Sequence, residues 1–358
     1  MSKEHTIPDL SAVLNHNCPE ATWTVPTLFK NEQIFIGLVS NLSETFGIRL
    51  PISSVYGNYP VMWNGGKSNM REYITIGDTR DSFERNFDLY RMNQMNVDIS
   101  FNNPLIEKEH LEDVACNYLL EVLTGQDNPN NGVIVATDVL SDHIRKKYPD
   151  LKQVVDVVKV ELDNPTAEGK KRTAEYYTEL AKRFEKVVIH PDDNFDRDLL
   201  EKLSDDSDKY EIIVNESCTT GCEARDLHYI DVGRYFLNNW KGGFHFGDFE
   251  SVESKYNTPY GICPAQRYFP RGPMMQNNQI KKTEIRQNQL TQDELKDIYD
   301  IGFRQFKLTG RDATSAAMVY DISRYILEND QIFPLLFKKF LESPIMTGDF
   351  KQGIYNQN

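Results

Sequence analysis

The fold is decided by one strand-to-helix unit, which reads Val133-Ile-Val-Ala-Thr-Asp-Val-Leu-Ser-Asp-His-Ile-Arg-Lys-Lys-Tyr148. A run of β-branched residues, typical of a strand, ends at Ala136, and residues 140–148 then carry apolar side chains at three- and four-residue spacing. An apolar strand that leads directly into an amphipathic helix is typical of a parallel sheet, where the helix crosses over to the next strand. The unit therefore predicts an α/β fold.

The same unit recurs on both sides of this stretch. Short β-branched runs predict strands at residues 34–39, 97–101, 133–136, 154–160, 187–190, 211–215 and 305–308. Amphipathic periodicity predicts helices at residues 105–123, 140–148, 167–184, 196–203, 224–240, 292–301 and 314–327. Thr291 followed by Glu294 adds the capping-box signature of a helix N-terminus. This alternation implies parallel strands joined by helical crossovers.

The number of strands favours a closed (β/α)8 barrel, TIM-like, over an open doubly wound sheet. Seven strands are predicted, and we expect an eighth within the irregular residues 242–286. An open sheet more often carries a glycine-rich first turn, and Gly65-Gly66-Lys67 lacks the spacing of a phosphate loop. We expect an N-terminal extension at residues 1–30, one barrel domain at residues 31–328 and a C-terminal helical tail at residues 329–358.

The composition excludes several classes of protein. The 358 residues carry 40 Lys and Arg against 54 Asp and Glu, a net charge of −14, and 39% of them are hydrophobic. This apolar fraction is too high for a disordered chain. The acidic charge argues against nucleic acid as a partner, although a local basic patch stays compatible with one. No apolar run approaches the roughly 18 residues needed to cross a bilayer, so we expect no membrane partner.

The cysteines indicate a reducing compartment. Their number is odd, and the start, Met1-Ser-Lys-Glu-His5, has no apolar stretch like that of a signal peptide. We therefore expect reduced thiols and a cytoplasmic location. The five residues are Cys18, Cys116, Cys218, Cys222 and Cys263.

Functional residues are expected directly after the strands, because barrels collect them at the C-terminal strand ends. The polar residues at or near these ends include Asn102, Thr137, Asp138, Lys159, His190, Asn215, Lys307 and Arg311. Asn102, Thr137 and Asp138 also suit helix N-caps, where Asn, Thr and Asp are favoured.

The richest segment reads Asn215-Glu-Ser-Cys218-Thr-Thr-Gly-Cys222-Glu-Ala-Arg225-Asp-Leu-His228-Tyr229. Two thiols at this spacing on a turn can point at one centre, which Cys263 and Cys116 would complete. Three or four thiolates suit an iron–sulfur cluster, and thiolate with imidazole suits zinc. The same cysteines also fit passive burial, for which Cys116 on an apolar helix face is the clearest case, or redox-active thiols.

The remaining candidates divide by chemistry into proton carriers and groups that bind anions. The candidates for catalysis are His190, Glu216, His228 and Lys307. The candidates for binding a small-molecule or anionic substrate are Asn102, Asn215, Arg225 and Arg311, since guanidinium forks suit carboxylate and phosphate.

Three segments together resemble (β/α)8-barrel proteins distantly similar to the collagenase-like peptidase family. They are Asn131-Gly-Val-Ile-Val-Ala-Thr-Asp-Val-Leu140, the cysteine segment with Val214 before it, and Phe306-Lys307-Leu-Thr-Gly310-Arg311. The resemblance extends over roughly residues 95–320 as scattered motifs. It implies a barrel, and members of this kind are often linked to oxygen-independent hydroxylation or other modification of RNA bases or quinone precursors.

Several of these relatives hold an iron–sulfur cluster on four cysteines. By position, the resemblance makes Cys218 and Cys222 cluster ligands, with Cys263 and Cys116 completing the set, and places Lys307 and Arg311 at the barrel mouth. The cysteine spacing, the acidic charge and the lack of an RNA-binding appendage depart from the pattern, which leaves the substrate open.

Three functional hypotheses follow from the sequence. The first is a barrel enzyme with a thiolate-ligated metal or iron–sulfur centre, modifying a small molecule or a macromolecular side group, with an electron-donating protein as a candidate partner. The second is a metal-independent lyase or isomerase that uses Lys159 or Lys307. The third is a barrel that binds a partner without catalysing a reaction.

Overall fold

Eight parallel strands close into a barrel within the residues that the structure describes. The computed structural model describes residues 17–66, 80–126, 128–239, 287–311 and 313–327. The strands are β1 (Thr22–Val25), β2 (Ile52–Gly57), β3 (Asn96–Phe101), β4 (Gly132–Val135), β5 (Lys152–Val155), β6 (Lys186–Ile189), β7 (Tyr210–Ile213), β8 (Asn215–Thr219), β9 (Gln287–Gln289) and β10 (Gln305–Lys307). The helices are α1 (Glu32–Phe46), α2 (Arg80–Met92), α3 (Val114–Thr124), α4 (Asp138–Lys147), α5 (Val157–Asp163), α6 (Ala174–Arg183), α7 (Arg197–Leu203), α8 (Arg225–Asn239), α9 (Gln292–Ile301) and α10 (Ser315–Asp321).

The predicted (β/α)8 barrel is confirmed. Strands β1 to β7 lie side by side in chain order, and β10 closes the barrel between β7 and β1. Strands β8 and β9 form a separate antiparallel pair. Among the described residues, no helix is both long enough and apolar enough to cross a membrane.

The barrel begins earlier than expected. Strand β1 lies inside residues 1–30, which we expected to be an extension, and it pairs with both β2 and β10. Trp23 of β1 is fully buried, and its ring lies 5.3 Å from that of Phe306. The expected eighth strand at residues 242–286 and the expected tail at residues 329–358 lie outside the described residues.

Two of the predicted strands are wrong in whole or in part. Residues 34–39 belong to helix α1, where Phe35, Leu38 and Leu42 are buried at helical spacing. Residues 154–160 divide between β5 and α5, because Asp156 caps the helix by accepting a hydrogen bond from the Val158 N–H at 2.8 Å. The predicted capping box is confirmed, since Thr291 and Glu294 exchange both hydrogen bonds.

Charged side chains meet inside the barrel. Lys307 Nζ lies 2.9 Å from one Glu211 oxygen, and Lys186 Nζ lies 3.5 Å from the other. Lys152 and Asp98 pair at 2.9 Å across Gly132, where a Cβ atom would lie only 2.7 Å from an Asp98 oxygen. A glycine at this position therefore makes room for the ion pair.

A layer of apolar side chains separates these charges from the barrel mouth. Its members are Tyr56, Ile134, Val154, Val157, Val188 and Ile213. Since successive side chains alternate across a strand, the next inward-facing positions, among them Asp156, His190 and Asn215, lie at the mouth. The fold therefore places the residues after the strands around one opening.

Candidate functional site

The cysteine segment continues directly from barrel strand β7 over the mouth. The Val214 N–H donates to the Lys307 carbonyl at 3.1 Å, which holds the segment to β10. The β8 strand then pairs with β9, from Asn215 opposite Gln289 to Thr219 opposite Gln287. Cys218 lies in β8 and Cys222 in the turn before helix α8, so the connection from β7 to α8 that holds both cysteines is anchored at each end.

The two thiols of this connection are hydrogen-bonded to each other. Cys218 is buried and Cys222 is half-buried, and neither is in a disulfide. The hydrogen bond to Cys218, together with burial, raises the pKa of Cys222, while Arg225 acts in the opposite direction. The Cys218 N–H donates to Glu216 Oε1 at 2.9 Å. The segment therefore brings Cys218, Cys222, Glu216 and Arg225 together, as predicted.

Arg225 is the most deeply buried charge of the site. Only 1% of its surface is exposed. Its Nη2 donates to Asp192 Oδ1 and to the Thr219 carbonyl, each at 3.0 Å. Among the described residues, its Nε and Nη1 have no hydrogen-bond partner. Burial would lower the pKa of Arg225, but Cys218 and other neighbours outweigh it and raise the pKa, so the guanidinium stays charged.

His190 lies between the Glu161 carboxylate and the backbone of Asp192. Its Nδ1 accepts the Asp192 N–H at 3.2 Å, so the proton of the neutral ring is on Nε2. Nε2 lies 3.0 Å from Glu161 Oε2, and burial raises the pKa of Glu161 against the effects of Thr166 and Arg225. Because the ring is fully buried between these groups, His190 supports the site from below.

Asn102 and Arg311 lie together at another part of the mouth. Asn102 Oδ1 accepts the Gly65 N–H at 3.1 Å. Gly66 has a φ of +72°, and a Cβ atom there would lie 2.6 Å from Arg311 Nη2 and 2.8 Å from Asn102 Nδ2. Arg311 also acts against the burial that raises the pKa of Tyr56. The structure therefore brings these two candidates together beside Gly66.

The structure gives Asn215 and both candidate lysines partners of their own. The Asn215 amide donates to the Thr309 carbonyl and to Asp321, and its oxygen accepts the Thr309 N–H, so it fastens β8 to the loop after β10. Lys307 points into the barrel at Glu211 instead of lining the mouth. Lys159 lies in helix α5 and pairs with two aspartates, Asp138 at 3.3 Å and Asp163 at 3.2 Å.

Two further candidates lie on helices, Cys116 in α3 and His228 in α8. Cys116 is fully buried in the hydrophobic core, where its sulfur accepts the Trp63 N–H at 3.4 Å and burial raises the pKa of the thiol. His228 is half-buried on α8, and the buried neighbour of Arg225 on that helix is Tyr229. Thr137, as considered from the sequence, caps α4.

The described residues do not by themselves form a complete metal site. Among them, no group of three or more His, Cys, Asp or Glu side chains is arranged to hold a metal ion. Cys263 lies outside the described residues. A metal held by Cys218 and Cys222 would therefore need at least one more ligand from outside the described groups.

Sequence reasoning missed Asp192 and Asn288 as parts of the site. Asp192 Oδ1 accepts from Asn288 Nδ2 at 2.7 Å, and Asn288 Oδ1 accepts from the Thr220 hydroxyl at 2.6 Å. The position of Asp192 shortly after strand β6 was the signal in the sequence that could have identified it as a site residue. Asn288 belongs to β9, a strand that no periodicity in the sequence indicates.

Comparisons with known proteins give only distant likenesses. No protein-family model matches the chain, and no curated protein is significantly similar to it. The solved structure of the U32 peptidase Mk0906 is similar with a TM-score of 0.44 and 13% identity, over 81% of this chain and 92% of that one. An α-amylase from Lactobacillus plantarum is similar with a TM-score of 0.30 and 12% identity, over 55% of this chain and 63% of that one. Likenesses at this level say nothing about what the chain does.

Proposed function

We propose that this protein is a barrel enzyme in which Cys218 and Cys222 ligate a metal or iron–sulfur centre at the barrel mouth. One observation carries the proposal. Two hydrogen-bonded thiols lie beside the buried Arg225, whose Nε and Nη1 have no hydrogen-bond partner among the described residues. Unpaired N–H groups of a buried cation are costly, and an anionic group beside them would remove that cost.

A thiolate-ligated centre fits these surroundings chemically. Such centres carry negative charge on their sulfur atoms, and hydrogen bonds to the sulfurs tune them. Arg225 offers both the charge and the donors. Cys218 and Cys222 would hold the centre, with Cys263 as the candidate for a further thiolate. Cys116 drops out of the set, because its side chain is fully buried among the apolar residues of the hydrophobic core.

The centre would supply electrons or a Lewis-acid site when bound, and the chain would bind and orient the substrate. Asp156, Glu216 and Arg311 each come within a few residues after the end of a barrel strand, namely β5, β7 and β10, where side chains collect at the mouth. Carboxylates and a guanidinium suit a small molecule or a side group that carries polar or anionic groups. An iron–sulfur centre that supplies electrons would also need an electron-donating protein partner. In its more specific form, the proposal is that the enzyme carries out the hydroxylation-type chemistry that the sequence resemblance implies. Zinc is the alternative to an iron–sulfur centre.

Metal analysis of protein prepared without oxygen tests the proposal. We expect the wild type to contain iron, with thiolate-to-iron absorption, or zinc. We expect Cys218→Ser and Cys222→Ser to lose most of it, because each removes a ligand. Cys116→Ser is the matched control and should retain the metal. A wild type with neither metal, or a Cys116→Ser variant that loses as much metal as Cys218→Ser, would overturn the proposal.

A further inference from the structure

The turn between the two cysteines is held by a single carboxylate from another part of the barrel. Asp192 Oδ2 accepts the Gly221 N–H at 3.1 Å. Gly221 lies between Cys218 and Cys222 and has a φ of +67°, a conformation that favours glycine. The backbone that sets the path from one thiol to the other is therefore fastened to the loop after β6.

The other oxygen of the same carboxylate fastens the two elements on either side of the turn. Asp192 Oδ1 accepts from Arg225 Nη2 at 3.0 Å and from Asn288 Nδ2 at 2.7 Å. Arg225 is the first residue of α8, and Asn288 belongs to β9 and also accepts from Thr220 in the turn. One side chain thus joins the cysteine turn, the helix after it and the strand paired with the segment before it.

Asp192 is itself held in place. Its N–H donates to His190 Nδ1 at 3.2 Å, and the other nitrogen of His190 lies 3.0 Å from Glu161. The Asp192 side chain is only 10% exposed. The backbone of Asp192 is hydrogen-bonded to the residue directly after strand β6, and its carboxylate accepts three hydrogen bonds from the residues around the cysteine turn. Asp192 can therefore fix the position of the thiols relative to the barrel strands.

We propose that Asp192 is the positioning residue of the thiol pair, which sets the separation and orientation of Cys218 and Cys222 through Gly221, Arg225 and Asn288. The inference rests on the proposed function of the two thiols. It adds the residue that prepares them for a shared ligand. Side chains that orient metal ligands from behind typically contribute about 10- to 100-fold in affinity.

The neighbouring Asp193 offers a matched control. Its Oδ2 accepts from Arg172 Nε at 2.8 Å and from the Tyr177 hydroxyl at 2.6 Å. Its side chain is 12% exposed, close to the value for Asp192, and it makes two hydrogen bonds of similar kind. Neither contact reaches the cysteine turn directly, although Arg172 Nη2 also lies 4.0 Å from Asp192 Oδ2. Loss of the Asp193 carboxylate should therefore affect stability while it leaves the hydrogen bond from Gly221 to Asp192 in place.

The affinity for phenylarsine oxide tests the inference without any metal. Its arsenic forms bonds to two nearby thiols, and the two thiol protons leave with its oxygen as one water. We expect Asp192→Asn to weaken binding by about tenfold, since an amide cannot accept from all three donors. We expect Asp193→Asn to bind within about twofold of wild type even where its melting temperature falls. Cys218→Ser and Cys222→Ser should abolish tight binding.

Equal affinity of wild type and Asp192→Asn would overturn the inference, as would an equal loss in both aspartate variants. Asn288→Ala removes one of the three contacts and should produce a smaller loss. If Asp192→Asn does not fold, Asn288→Ala replaces it as the test variant. Unchanged binding by Asn288→Ala would then count against the inference. Failure of the metal proposal would leave these results intact, because the arsenical needs only the two thiols.

Discussion

Charged side chains inside this barrel form ion pairs at positions that many barrels fill with apolar side chains. Glu211 is the central one, because it pairs with Lys307 and Lys186 and accepts a hydrogen bond from Thr24 at 2.6 Å. Burial would raise the pKa of Glu211, but the two lysines and the hydrogen bonds outweigh it and lower the pKa to about 2. The folded protein therefore favours the ionised carboxylate more than the unfolded chain does.

This pKa predicts how Glu211 contributes to stability as the pH changes. Its contribution is complete above the unfolded pKa of 4.5 and is lost as the pH falls towards 2. A shift of this size corresponds to about 3 kcal/mol. We expect Glu211→Gln to lower the free energy of unfolding at pH 7 by about 3–5 kcal/mol, because two buried ammonium groups lose their carboxylate. The gap between wild type and variant should narrow below pH 4.5.

Denaturant titrations at several pH values measure this gap. Glu201→Gln is the control, since the Glu201 side chain is 52% exposed and pairs with Arg197 at the surface. It should stay within about 0.5 kcal/mol of wild type throughout. A Glu211→Gln gap that stays constant from pH 7 to pH 3 would contradict the assignment.

The sequence was sufficient for the site residues that lie close together along the chain. Cys218 and Cys222 were expected to point at one centre because one turn joins them. Asp192 and Asn288 come from distant parts of the chain, and only the closed barrel brings them to the turn. Lys307 follows the rule for strand ends, yet its long side chain turns inward, where Glu211 provides a counter-charge that no local pattern reveals.

At the scale of secondary structure, capping residues decided where the elements begin. Residues 154–160 look like one apolar strand, but Asp156 ends β5 and begins α5 by binding the Val158 N–H. Residues 34–39 are equally apolar, and only burial on one face identifies them as part of α1. Periodicity cannot separate a short buried strand from a buried helix segment. The capping signals at Thr137 and Thr291 were reliable because the hydrogen bonds are local.

Helix α9 allows a direct test of such a cap. Thr291 accepts the Glu294 N–H at 3.2 Å, and Glu294 accepts the Thr291 N–H at 2.9 Å. We expect Thr291→Ala to lower the free energy of unfolding by about 1 kcal/mol, because it removes the hydroxyl acceptor. Thr291→Ser keeps the acceptor and should remain close to wild type in thermal unfolding. Equal losses in the two variants would show that the methyl group, and not the cap, stabilises the helix.

At the scale of the whole molecule, the number of strands was predictable and the identity of the first two was not. The chain supplies β1 and β2 from residues with weak strand signals, and their places are fixed by pairing with β10 and β3. Trp23 packs on Phe306 across the closing seam. Closure of the barrel depends on pairing between strands that are distant along the chain, so the sequence around β1 alone does not reveal it.

Removing residues 1–30 tests the closing seam. We expect the chain that begins at residue 31 to lose cooperative unfolding and the near-ultraviolet circular dichroism of its buried aromatic rings. The reason is that β2 and β10 would each lose a partner along one edge. A truncated chain that unfolds cooperatively at the midpoint of the full chain would show that β1 is dispensable for closure.

The seam between β1 and β10 also has a consequence for synthesis. Thr22 pairs with Gln305, so the first barrel strand to be made waits for the last one. Until then, β1 and β7 each present an open edge, and the interior charges lack Lys307. Contacts this distant along the chain slow folding and leave partly folded chains prone to aggregation. The nascent chain should therefore depend on protection by chaperones until its last barrel strand leaves the ribosome.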